Sequence, residues 1–116
     1  MLDSLATELP KFPNCIGIEI SKSKDCFDNE IKEHVRKNFK YPKKAYKKNI
    51  NGVVYVELLI DEKGNSIIKA KGPHKLLEKE AIRIMGLLPK FEPAIKNGKP
   101  TSIAYLIPIT FKLLKS

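Results

Sequence analysis

Apolar and polar residues alternate most regularly near the end of the chain. Every second position there is apolar: Ile103, Tyr105, Ile107, Ile109, Phe111 and Leu113. This spacing predicts a β-strand over residues 103–113 with one deeply apolar face. Pro108 lies inside the run and cannot donate a backbone hydrogen bond, so we expect the strand at a sheet edge with that nitrogen facing outward. A long exposed edge is a template for pairing with another chain.

A first stretch of helical periodicity lies in the first half of the chain. Its apolar residues recur at every fourth position: Phe27, Ile31, Val35 and Phe39. We expect this helix to begin near Asp25, with Ser23 as its N-cap. It should stop at Tyr41, because a proline at position 42 pushes the preceding residue out of the helical region.

Two further helices are predicted. Pro42 can open a short one over residues 43–48, with Ala45 and Tyr46 facing inward. The other carries a long apolar stripe: Leu77, Ala81, Ile84, Met85 and Leu88. We expect Pro89 to end this helix.

Two strands are predicted between the long helices. Residues 53–60 form an almost continuous β-branched and apolar run, which is typical of a strand at the centre of its sheet or covered on both faces. Residues 61–65 predict a hairpin loop, with Gly64 where a positive φ is needed. Residues 66–71 then predict a weaker returning strand, whereas residues 91–100 predict a polar connection with turn-forming residues.

These elements predict an α+β fold with the order α-β-β-α-β. We expect a two-layer sandwich in which two helices cover one face of a three-stranded antiparallel or mixed sheet. A right-handed crossover places the last strand beside the first, which gives the strand order 2-1-3. Residues 25–116 are predicted to form this domain, and residues 1–24 an N-terminal arm that contacts it through Phe12 and Cys15.

Composition and charge limit the classes of function. The chain has 116 residues, of which 42% are apolar and 30% charged, as expected for one soluble globular domain. Its formal charge of +9 leaves binding of nucleic acid or another anionic partner open. The candidate residues surround two tyrosines and are Lys40, Lys43, Lys44, Lys47 and Lys48. A solvated basic surface explains the same charge, and the scarcity of arginine disfavours specific DNA readout.

No enzymatic site is predicted. The Ser, Cys and His residues form no nucleophile motif, the glycines form no phosphate-binding loop, and no cofactor is expected. Cys15 and Cys26 lack the further Cys or clustered His residues that a zinc site requires. They could form a disulfide or remain free thiols, and the residues alone leave that choice open. The predicted edge strand could also pair with its own copy in a homodimer.

Several short motifs occur in a specific order along residues 25–113. They are Tyr41-Pro42, Ile50-Asn51-Gly52-Val53, Ile60-Asp61-Glu62-Lys63-Gly64, Leu88-Pro89-Lys90-Phe91-Glu92-Pro93, Asn97-Gly98-Lys99-Pro100 and Ile107-Pro108-Ile109-Thr110-Phe111. In order and spacing this series resembles the C-terminal domain of TonB, the energy transducer of the Gram-negative envelope. The segments Phe12-Pro13-Asn14-Cys15 and Cys26-Phe27 resemble TonB variants that carry a cysteine pair.

The resemblance implies a periplasmic module at the end of a protein that is anchored in the inner membrane. The anchor and the Pro-rich spacer are not in this sequence, so we expect either a fragment of such a protein or a stand-alone relative. Family members bind the TonB box of an outer-membrane transporter as an added strand, and they pass on force from a proton-driven inner-membrane complex for nutrient uptake. The resemblance implies partner contacts at Tyr41, Pro42, Ala104, Leu106, Ile107, Pro108, Ile109, Thr110 and Lys112. It also favours a Cys15–Cys26 disulfide, because the periplasm is oxidising.

Overall fold

The computed structural model describes residues 8–113 of the chain, which fold into helices and strands. In order they are α1 (Ile20–Asn38), α2 (Lys43–Lys47), β1 (Gly52–Ile60), β2 (Ser66–Lys71), α3 (Lys75–Gly86), β3 (Ala94–Lys96), β4 (Lys99–Thr101) and β5 (Ile103–Phe111). A 3₁₀ turn, Pro13–Cys15, precedes α1. The order of the main elements confirms the α+β prediction. Residues 1–7 of the predicted arm and residues 114–116 of the predicted domain lie outside the described residues.

The main sheet has the strand order β2-β1-β5, as predicted. Both outer strands run antiparallel to β1, so they are parallel to each other. On one face of β1 the side chains are fully buried under the helices: Val54, Val56, Leu58 and Ile60. On the other face Tyr55 is exposed, because no helix of residues 8–113 covers that side. The domain is therefore a two-layer sandwich.

The core has two parts that meet beneath the helices. One part lies under the first half of α1 and joins Phe27 and Ile31 to Phe91 and Ile103. The other lies under α3 and includes Ala45, Val54, Leu77, Ala81, Met85 and Phe111. Burial of these side chains against one sheet face is the main term that stabilises the fold.

Several predicted helix ends are wrong by a few residues. α1 begins at Ile20, and Ser23 lies inside it with its Oγ donating to the Glu19 carbonyl. Ion pairs between residues three and four apart, such as Lys24–Asp28, support these early turns. α3 ends at Gly86, before Pro89 is reached. In α2, Ala45 is buried as predicted, whereas Tyr46 is exposed.

The predicted polar connection over residues 91–100 contains a β-hairpin. β3 and β4 pair across a two-residue turn in which Asn97 and Gly98 both have positive φ. This geometry is that of a type I′ turn, for which Asn-Gly is the preferred sequence. The hairpin strands are only three residues long, too short to show an alternating pattern.

The N-terminal arm pairs with the segment around β3. Backbone hydrogen bonds run in both directions between Glu8 and Ile95 and between Lys11 and Glu92, at 2.9–3.1 Å. The next residue, Phe12, is buried, and its ring lies 4.7 Å from that of Phe91. The arm thus belongs to the packed structure from Glu8 onward.

A disulfide joins the arm to α1. Cys15 and Cys26 are bonded, with their Cα atoms 6.0 Å apart, which confirms the pairing that the family resemblance favoured. Cys15 is also buried, so the bridge closes a small loop over the edge of the aromatic core. The exposed side chains of Ile16 and Ile18 lie within this loop.

Replacing both cysteines by serine should lower the free energy of unfolding by about 3 kcal/mol, because the bridge limits the unfolded chain. Guanidinium unfolding of the oxidised protein and of the double variant measures the difference. The variant should also be insensitive to reductant, whereas reduction should bring the parent protein to the same midpoint. Equal midpoints for oxidised parent and variant would contradict this expectation.

Candidate functional site

β5 pairs with β1 on one side and leaves its other side without a strand partner among residues 8–113. Its pairing with β1 runs from Ile103 opposite Ile60 to Phe111 opposite Gly52. Pro108 lies opposite Tyr55 and does not interrupt this register. Because proline has no N–H, it fits at a position whose backbone groups point away from β1. The prediction that this strand forms an edge is confirmed.

A groove runs beside this free edge, between β5 and α1. One part has a cavity volume of about 490 Å³. Its lining residues are Phe27, Asp28, Ile31, Lys32, Val35 and Arg36 from α1, and Tyr105, Leu106, Ile107 and Pro108 from β5. A second cavity of about 430 Å³ shares Phe27 and Tyr105 and extends to Leu9, Lys24 and Ala104 at the start of β5. The floor of the groove is apolar, and its rim on the helix side is charged.

The groove exists because α1 covers β5 unevenly. On the helix-facing side of β5, Ile103, Ile109 and Phe111 are buried at the two ends of the strand. Tyr105 and Ile107, in the middle of the same face, are only half-buried. An incoming chain could therefore contact both the edge of β5 and part of its inner face.

Tyr105 occupies the centre of the groove. Its ring stacks on Phe27 with centroids 4.6 Å apart. Burial, aided by the negative charge of Asp28, raises the pKa of Tyr105 far above its ordinary value. Its hydroxyl thus stays neutral at physiological pH, and within residues 8–113 it has no hydrogen-bond partner.

The residues predicted on β5 differ in accessibility. Leu106 is 68% exposed, Pro108 and Thr110 are exposed, and Ala104 is half-buried. Ile109 is only 2% exposed, and its backbone has the parity that faces Val54 of β1, so the fold offers little of this residue to a partner.

The remaining predicted residues lie near the far end of the groove. Lys112 is exposed just past the end of β5. The ring of Tyr41 packs against Phe111 at 5.8 Å, so the Tyr41-Pro42 turn adjoins the C-terminal end of β5. The Tyr41 hydroxyl donates to the carbonyl of Ile50 and is thereby fixed, and burial raises its pKa.

A buried carboxylate holds this turn in place. Glu80 of α3 accepts the backbone N–H of Lys40 at 2.8 Å. The same carboxylate accepts two hydrogen bonds from Arg83, at 2.7 and 2.8 Å, and Arg83 also donates to the carbonyl of Asn38. Because paired, hydrogen-bonded charges are tolerated in a protein interior, this arrangement anchors the end of α1 to α3.

The helix wall of the groove was not predicted from the sequence. The apolar period places Phe27, Ile31 and Val35 on the buried side of α1, as observed for the first two. It carries no signal for the gap between α1 and the middle of β5. The roles of Lys32 and Arg36 at the rim follow only from the packing of the two elements.

The family model for the C-terminal domain of the Gram-negative bacterial TonB protein matches residues 37–113, about two thirds of the chain. The chain belongs to this family. No curated protein and no solved structure matched it. The match covers the Tyr41-Pro42 turn and all of β5, whereas the arm and the disulfide precede it. TonB C-terminal domains are non-enzymatic parts of energy transducers, periplasmic in Gram-negative bacteria, and act with outer-membrane transporters.

Two further observations concern this TonB-type domain. None of the helices within residues 8–113 combines the length and apolarity that crossing a bilayer requires. Over the same residues, His, Cys, Asp and Glu side chains do not gather in a group of three that could hold a metal ion.

Proposed function

We propose that this domain captures the TonB box of an outer-membrane transporter by adding it as a fourth strand to the free edge of β5. The observation that carries the proposal is the unpaired side of β5 beside an apolar groove. In strand addition, main-chain hydrogen bonds provide affinity and pockets for alternate side chains provide sequence selection. The unpaired backbone of β5 could provide the hydrogen bonds, and the apolar groove could provide the pockets.

The groove determines which side chains of an added strand would contact this domain. Side chains on one face of the added strand would lie over Phe27, Ile31 and Val35, and those on the other face would extend the open side of the sheet. Pro108 offers no N–H, so the hydrogen-bond ladder should be interrupted there and continue on either side. Residues with the parity of Pro108, such as Leu106 and Thr110, would supply the remaining outward backbone groups.

The same geometry suits the transmission of force. In the proposed arrangement the chain upstream of the domain is anchored in the inner membrane and is pulled by a proton-driven complex. Force would enter through the arm, and the Cys15–Cys26 bridge ties that arm directly to α1, which forms one wall of the groove. The load would therefore pass to the strand held between α1 and β5.

A nuclear magnetic resonance titration tests the proposal. The titrant is a synthetic 20-residue peptide that spans the TonB box of a transporter encoded in the same genome. We expect amide shifts along β5 and along residues 27–36 of α1, with β2 unchanged because it forms the opposite sheet edge. Shifts that spare β5 for every such transporter would overturn the proposal. Light scattering without peptide separates this docking from pairing of β5 with its own copy.

A further inference from the structure

The positive charge of this chain is concentrated in one stretch. Between Glu33 and Glu57 the sequence holds seven Lys or Arg residues and not one Asp or Glu. Five of them form what we call the lysine patch: Lys40, Lys43, Lys44, Lys47 and Lys48. All five are exposed, and none is in an ion pair with a carboxylate of residues 8–113. The patch therefore has uncompensated charge.

The lysine patch lies at the end of the sheet where β5 finishes. Phe111, the last residue of β5, packs against Phe39 and Tyr41 on either side of Lys40, with ring centroids 5.1 and 5.8 Å apart. Ala45 of α2 is buried in the same core cluster as Phe111. A chain that leaves the β5 edge at this end must therefore pass close to the patch.

The helix rim of the groove also carries charged side chains. Successive turns of α1 place Lys24, Asp28, Lys32 and Arg36 beside β5, from its first half to its second. Lys24 and Asp28 neutralise each other at the start of the groove, at 2.8 Å. Lys32 has no such partner within the described residues. Arg36 is paired with Glu33 at 2.8 Å, so Lys32 is the uncompensated positive charge of this rim, and it lies beside the second half of β5, toward the lysine patch.

We propose that the docked segment carries an acidic stretch next to its paired residues, and that this stretch lies over the lysine patch. The proposal rests on the proposed docking at β5, to which it adds the charge of the partner. Exposed charges of opposite sign accelerate encounter and set orientation, and their effect is weakened by salt. The acidic stretch is N-terminal to the paired residues if the segment runs antiparallel to β5, and C-terminal if it runs parallel.

An acidic peptide fits these observations better than a nucleic acid does. The patch continues into an apolar groove and an open strand edge, which match an extended peptide.

The experiment compares three peptides that share one TonB box, taken from a transporter peptide that shifts β5. The first peptide has four glutamates on the N-terminal side of the box, and the second has four glutamates on its C-terminal side. The third has glutamines in place of the glutamates on both sides. By fluorescence anisotropy in 50 mM salt, we expect one acidic peptide to bind about 3- to 10-fold more tightly than the glutamine peptide, as a few exposed ion pairs provide. This advantage should largely disappear in 500 mM salt.

Two triple variants with equal net charge locate the effect. Lys43→Gln/Lys44→Gln/Lys47→Gln should remove most of the advantage and leave binding of the glutamine peptide unchanged. The control, Lys63→Gln/Lys69→Gln/Lys71→Gln, changes exposed lysines of the β1–β2 loop and β2, at the other edge of the sheet, and should retain the advantage. Circular dichroism confirms that each variant is folded.

The outcomes separate the two proposals. Equal affinity for all three peptides, with β5 still shifted, would overturn the acidic-stretch inference and leave the docking function standing. Equal loss in both triple variants would also overturn it, because the effect would then come from net charge. Failure of every transporter peptide to shift β5 in the nuclear magnetic resonance titration would overturn the docking function itself. If single-stranded DNA of equal charge displaces the acidic peptide from the patch, the patch is a nucleic-acid site and the inference is wrong.

Discussion

Gly64→Ala should destabilise the domain by about 3 kcal/mol or more, although it adds only one methyl group. Gly64 has φ +84°, a conformation that costs a residue with a Cβ about 1–2 kcal/mol. A Cβ at this position would lie 1.8 Å from the carbonyl oxygen of Phe91, which is far inside contact distance. Phe91 also donates its N–H to the Gly64 carbonyl at 3.0 Å, so the two backbones are held together.

The clash cannot be relieved without moving the core. Phe91 is buried and its ring packs against Phe12 and Phe27. Displacing its backbone would therefore loosen the aromatic cluster that joins the arm, α1 and the segment between α3 and β3. A domain of this size is stable by about 5–15 kcal/mol in total, so the loss would be a large fraction.

Gly98→Ala is the matched control for this prediction. Gly98 has a similar φ of +76°, but among the described residues no heavy atom lies within 4 Å of its added Cβ. It should lose only the conformational cost, about 1–2 kcal/mol. Urea unfolding of the parent and both variants measures the two losses. If Gly64→Ala loses no more than Gly98→Ala, the contact with Phe91 does not have the importance argued here.

The main elements were predictable because their signals are local. The long apolar run of β1, the alternation of β5 and the four-residue period of α1 each reflect which side of one element is buried. Pro108 added a non-local conclusion from a local fact, since a residue without an N–H belongs at a sheet edge. Together with the preferred crossover these facts gave the observed order β2-β1-β5.

The features that were missed depend on contacts between distant segments. The pairing of Glu8 with Ile95 joins residues far apart in sequence, and neither side has a strand-like pattern. The early start of α1 at Ile20 accompanies the covalent bond between Cys15 and Cys26, which residue spacing alone left open. Tertiary contacts of this kind override local preference.

The candidate site was predictable only where its residues give a local signal. The outward positions of β5 follow from the alternation of one strand, and the Tyr41-Pro42 turn follows from the family resemblance. The groove depends on the distance between α1 and the middle of β5, where Tyr105 and Ile107 remain half-buried. Their sequence period is the same as that of buried Ile103, so no pattern could distinguish them.

Leu106→Pro should weaken peptide docking at β5 roughly tenfold or more while the domain remains folded. Leu106 is two residues before Pro108, so its backbone N–H should point to the free edge. Proline at this position removes a donor that an added strand would use, at a cost of about 1–3 kcal/mol, roughly tenfold or more in Kd. Together with the gap at Pro108, it would leave the middle of the edge without two successive donors.

Two substitutions separate the backbone effect from other causes. Leu106→Ala removes the exposed side chain and keeps the N–H, so it should bind the TonB-box peptide much more tightly than Leu106→Pro. Ile107→Pro has the opposite parity and should break the pairing with Val56 of β1, which costs about 3 kcal/mol or more in stability. Thermal unfolding and peptide titration of all three variants give the comparison. If Leu106→Pro unfolds the domain and Ile107→Pro does not, the backbone groups that point outward are those of the opposite parity. If a folded Leu106→Pro variant binds the peptide as well as Leu106→Ala does, the partner does not pair with β5. At the edge, the backbone donor is what distinguishes these two variants.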